Sequence, residues 1–70
     1  MKEHIERICN DHNTRFPDKG RLCITPNALS GTVNVVLGTV PLIEGVSLQN
    51  AFYIVAAIRN YAEANKEEKK

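Results

Sequence analysis

Tryptophan is absent from this chain of 70 residues, and it holds only two tyrosines, two phenylalanines, two cysteines and three prolines. Four aromatic rings leave little with which to stack nucleic-acid bases. Two cysteines cannot staple a disulfide-rich secreted scaffold, and no basic n-region with an apolar h-region opens the chain, so Cys9 and Cys23 read as reduced thiols of a cytoplasmic protein. Pro26, Gly31, Gly38, Pro41 and Gly45 interrupt the apolar middle, which nowhere reaches the roughly 18 residues of a membrane span. The net charge of +1 offers no general attraction for a polyanion or an acidic membrane surface. No catalytic or cofactor motif is present, so neither a cofactor nor an enzymatic activity is expected.

Charge is also missing from one long block. Between Arg21 and Arg59 the only formal charge is Glu44. A chain this short has little interior in which to hide so much uncharged sequence, so part of the block is expected to be surface that a partner covers. Seventy residues form one domain, near the lower limit at which a single core suffices without metal, disulfides or self-association.

Ile5, Ile8, Cys9 and His12 repeat at helical spacing, with Lys2, Glu3, Glu6, Arg7 and Asp11 on the other face; Pro17 stops this short helix before Phe16. Pro17 to Gly20 has the chemistry of a tight turn. Arg21 to Thr25 alternates as a short strand that Pro26 ends, and Thr32 to Leu37 is rich in β-branched residues and reads as a second strand. Val40 to Ile43 reads as a third, short piece that Pro41 confines to an edge. Ser47 is a good N-cap for a longer helix running to about Ala64, with Leu48, Ala51, Phe52, Ile54, Val55, Ile58, Tyr61 and Ala62 facing the sheet.

The expected fold is α+β: a short N-terminal helix, a two- or three-stranded antiparallel sheet and a longer C-terminal helix packed on one sheet face. Residues 1–65 make the domain, and 66–70, entirely charged, a flexible tail.

Subtracting the core leaves two uncharged sets. Tyr53, Ala57, Asn60 and Ala64 recur at i, i+4, i+7 and i+11, a heptad-like seam to which Ala56 adds another small residue, and self-association is expected there. Thr32, Asn34 and Val36, with Cys23 and Thr25, line the sheet face away from the helices. The strands carry almost no Lys or Glu to discourage edge pairing, so sheet edge, sheet face and helix are all routes to a homodimer. Free-standing chains of this size serve as adaptors, antagonists or modulators of larger bacterial or phage-host machinery. Length alone puts this chain in that class, with a protein partner as the expectation.

Other constellations have a plainer reading. Cys9, His12 and Cys23, with His4 more distant, could be drawn as zinc ligands, but the paired short spacings of structural zinc sites are missing, and Cys9 and His12 read better as core residues. A Cys9 thiolate with His12 as base would need an orienting group and an oxyanion site that the sequence does not offer. Arg15, Lys19 and Arg21 around Phe16 are the best case for a nucleic-acid contact and make the alternative function, although Asp18 sits among them.

Overall fold

A computed structural model describes residues 1–65, so the charged stretch 66–70 lies outside the described residues. Helix α1 spans Lys2–Arg15, a single 3-10 turn Pro17–Lys19 follows, and strands β1 (Leu22–Pro26), β2 (Thr32–Leu37) and β3 (Val40–Ser47) lead into helix α2 (Leu48–Asn65). The strands form one antiparallel sheet in the order β1-β2-β3. Both helices pack on one face of it, α1 over β1 and α2 over β2 and part of β3, and against each other. Among the described residues no helix is long and apolar enough to cross a membrane.

Helix α1 buries Ile5, Cys9 and His12 on one stripe, as the spacing predicts. It ends where Phe16 leaves helical geometry at φ −131° and ψ 60°, outside the α region that the following Pro17 disfavours. The inward residues Leu22, Val33 and Val35 meet Ile5, Cys9, Ala51 and Val55 to form the core, with Ile24, Leu37, Leu48, Phe52, Ile54 and Ile58 half-buried around it. Among the described residues only nine apolar side chains are buried. That is a small core, and cover from outside the chain would add to it.

Two sequence expectations are corrected at the strands. Strand β1 is Leu22–Pro26, one residue later at each end than the spacing suggests, and Pro26 ends it from inside, as its last residue, paired with Val33. Strand β3 does not stop at Ile43: it runs eight residues to Ser47 and enters α2 without a loop. Its regular alternation is lost because the β2–β3 register shifts twice, between Val33/Val46 and Val35/Ile43 and again before Val36/Pro41. Each shift is a bulge that inserts an extra residue into β3. Gly45, at φ +71°, sits in the first, and its N–H donates to Asn34 Oδ1 at 3.1 Å. Gly38 at φ +67°, followed by Thr39 with negative φ, makes the two-residue β2–β3 turn in the pattern of a II′ hairpin.

The ladder also shows where the prolines point. Gly38 N–H donates to Arg21 C=O at 2.7 Å and Asn27 N–H to Thr32 C=O at 3.1 Å, which fixes the hydrogen-bonded pairs of β1–β2. By alternation Pro26/Val33 is a non-bonded pair, and Pro26 turns its nitrogen to the open edge. Val36 spends its backbone groups on Cys23, so Val36/Pro41 is non-bonded on the other side and Pro41 also turns its nitrogen outward. Each outer strand therefore presents a proline where a pairing strand would need an N–H.

Candidate interaction surface

Every residue of the heptad-like seam is on the outside. Ala51, Val55 and Ala62 mark the centre of the buried stripe of α2, and Tyr53, Ala57, Asn60 and Ala64 lie on the opposite side, all exposed. Tyr53 is 58 % exposed, with its hydroxyl held by Gln49 Nε2 at 3.1 Å and its ring edge-on to Phe52 at 5.8 Å. Ala56 is different. It is half-buried on the flank that faces α1, where Arg59 and Glu63 also lie.

On the open sheet face Thr32, Asn34 and Val36 are half-buried rather than free. Asn34 is engaged throughout: Oδ1 accepts from Asn27 Nδ2 at 2.7 Å and from Gly45 N–H, while Nδ2 donates to Thr25 Oγ1 at 3.2 Å. The side chain pins the β3 bulge and the β1–β2 loop, which leaves little of it for a partner. Thr32 Oγ1 likewise donates to Leu29 C=O at 2.6 Å.

The basic loop is less available than its sequence implies. Arg15 bonds to Asp11 at 3.3 Å and to Glu63, and its guanidinium stands 5.1 Å from the centre of the Phe16 ring. Phe16 is itself buried and offers no face for a base. Arg59 adds to this tie at 3.6 Å from Asp11, so these charges join α1 to α2. Arg21 is exposed and Lys19 half-buried.

Cys9 and Cys23 line one shallow hollow with Asn10, Asn13 and Arg21. Burial first, then the neighbouring Cys23 and Glu6, push the Cys9 thiol up to about 11, the opposite of an activated nucleophile. His12 is buried and its Nε2 donates to Gly20 C=O at 3.2 Å, which makes Nε2 the protonated nitrogen; Nδ1 has no partner. No three His, Cys, Asp or Glu side chains among the described residues are placed to share a metal ion. A second hollow, of about 230 Å³, lies between the start of α1 and β1, lined by Ile24, Val33 and Leu48 together with Lys2 and Glu6.

A further set of uncovered apolar side chains departs from the sequence expectation. Tyr61, expected in the core, is 73 % exposed, and Val40, Leu42 and Ile43 on β3 are 57 %, 47 % and 40 % exposed. Tyr61 lies about 100° around α2 from the centre of the buried stripe, on the flank away from α1. Ile54 and Ile58 share that flank and are half-buried against the core. Val40 and Ile43 pair with the inward residues Leu37 and Val35 and so face the helix layer, but α2 only partly covers them. The outer flank of α2 and the inward side of β3 are therefore both left partly uncovered. The chain matches no protein-family model, no curated protein and no solved structure. Geometry alone therefore carries the functional reading.

Edge pairing, one of the three expected routes to a dimer, is blunted at both ends of the sheet. Beyond the outward prolines, Asn13 takes the outward backbone of Leu22, with Nδ2 donating to its C=O at 2.9 Å and Oδ1 accepting from its N–H at 2.7 Å. Asn13 thus stands in for a neighbouring strand on β1, and the two bulges disturb the edge of β3. The missing Lys and Glu are replaced by proline, a bulged strand and a side-chain clamp.

Proposed function

We propose that this chain is a small, non-catalytic, cytoplasmic protein-binding module that works as a homodimer and acts as an adaptor, inhibitor or modulator of a larger protein. The observation that carries this reading is the amount of uncharged surface left open in a domain with so small a core: the outward seam Tyr53, Ala57, Asn60 and Ala64 on one side of α2, and the exposed Val40, Leu42 and Ile43 of β3. Tyrosine beside small residues gives a partner a rigid aromatic anchor and close backbone approach. A protein fits this surface better than a nucleic acid does. Arg15 is spent on Asp11 and Glu63, and Phe16 is buried, so the basic loop keeps only Arg21 and part of Lys19 for phosphate.

Capture from a lysate of the native host, with the unaltered chain compared against Tyr53→Ala and Asn60→Lys, tests this reading. Both variants should stay folded and lose a protein that the unaltered chain retains. Retention unchanged by either substitution would remove the seam from the proposal. Retardation of DNA or RNA at low ionic strength that fades steeply with salt would favour the nucleic-acid alternative through Arg15, Lys19 and Arg21.

A further inference from the structure

We infer that the groove between α1 and the free edge of β1 takes a short extended segment of another protein, acidic at both ends, which joins the sheet through the main chain of Ile24. The surface is distinct from the Tyr53 seam, so the inference goes beyond the proposed function.

The groove consists of two hollows laid end to end along β1. One, of about 270 Å³, lies toward Asn13 and Arg21, and the other, of about 230 Å³, toward Lys2 and Pro26. Glu6 and Ile24 line both, so the hollows meet beside the middle of the strand.

The strand supplies the main-chain part of the site. Its bonds to β2 fall at Arg21/Gly38 and Asn27/Thr32 and alternate in between, so Leu22, Ile24 and Pro26 turn their backbone groups to the open edge. Asn13 occupies both groups of Leu22, and Pro26 has no N–H to give. Among the described residues of β1, Ile24 alone therefore keeps both an outward N–H and an outward C=O without a partner in the chain. A donor and an acceptor together on a strand edge are the complement of one residue in another extended backbone, which exchanges two bonds with them. The clamp on one side and the proline on the other hold the register to this one pair, and keep a whole second sheet out. The hollows to either side of Ile24 receive flanking side chains.

Charge fixes the chemistry of those flanks. Lys2 and Arg21 stand exposed at opposite ends of the groove, and neither belongs to an ion pair among the described residues. Glu6, where the hollows meet, is the one carboxylate in the lining. A segment with an acid toward each end and none at its middle complements both lysine and arginine and avoids Glu6. The five residues of β1 extend over roughly 16 Å, which sets the length of the segment at about five residues.

The test is a displayed library of random heptapeptides selected against the full chain, followed by titration of the best synthetic peptides into ¹⁵N-labelled chain. Selected peptides should carry Asp or Glu toward both ends. Binding should shift the Ile24 amide downfield and slow its hydrogen exchange, with Tyr53 and Ala57 unmoved. N-methylation at one position of the peptide deletes a main-chain N–H and keeps every side chain, and it should abolish binding. Arg21→Glu should weaken binding about tenfold. The inference is overturned by peptides that move the Tyr53 seam and leave Ile24 unmoved, by affinity indifferent to N-methylation at every position, or by a library that yields no binder. The N-methyl series uses the unaltered chain, so it decides the matter even where Arg21→Glu fails to fold. Peptides bound at Ile24 while Tyr53→Ala leaves lysate capture unchanged would sink the seam and leave this inference standing. Capture lost at Tyr53→Ala with Ile24 silent to every peptide does the reverse.

Discussion

Cys9 shows how much a single position can report. Its ordinary value near 9 is raised to about 11, so the folded chain holds a proton that the unfolded chain gives up. Stability from this group is complete below pH 9 and falls as pH rises from 9 through 11, by an amount on the order of 2–3 kcal/mol. Urea midpoints measured at pH 8 and pH 10.5 should drop, and Cys9→Ala should flatten much of that drop; an equal drop in the variant would contradict the assignment. The same burial predicts slow alkylation of Cys9 in the native state at neutral pH. Asn13 holds both backbone groups of Leu22, and Asn13→Ala should cost about 1–3 kcal/mol in chemical denaturation. A loss under 0.5 kcal/mol would mean that water replaces the clamp. The burial of Cys9 was legible in the helical spacing, and the clamp of Asn13 was not. Asn34 reads there as open sheet surface and nothing sets Asn13 apart, because side chain to backbone bonds across nine or more positions leave no local pattern.

At the scale of elements, periodicity was a good guide wherever the chain stays regular. The β-branched run Thr32–Leu37 is β2 without adjustment, and Ser47 caps α2, its Oγ accepting from Asn50 N–H at 3.2 Å. Strand β3 was cut short because two bulges break the alternation and because Pro41 and Gly45 read as breakers when the partner strand is unknown. Gly45 is needed for its positive φ, with the Asn27 amide about 3.8 Å from where a Cβ would stand. Gly45→Ala should cost about 1 kcal/mol or more, measured as a shift in thermal midpoint with the fold retained. Pro41 acts by negative means. Pro41→Val restores an outward N–H on an apolar edge, and light scattering should then show growth to larger assemblies at concentrations where the unaltered chain forms none. Unchanged solution behaviour would show that the bulges alone guard the edge.

The whole molecule is a sheet of three strands under a layer of two helices, and the mismatch in width is the source of its open face. The seam Tyr53, Ala57, Asn60 and Ala64 was legible because a helix that packs on one side must show the other. The exposure of Tyr61, Val40 and Ile43 was not, since it depends on which strand each helix covers. A stripe as broad as the one from Leu48 to Tyr61 gives no sign that α1 supports one flank only. Spacing therefore puts Tyr61 with the core and leaves Val40, Leu42 and Ile43 as a short edge piece, whereas all four are exposed. If the open face is where the chain meets its partners, folding and association are linked, and thermal stability should rise with protein concentration. Multi-angle light scattering of the purified chain from low to several hundred micromolar tests this most directly. The predicted result is a mass that climbs from 7.8 kDa to twice that value and stays there, and a mass fixed at 7.8 kDa throughout would contradict it.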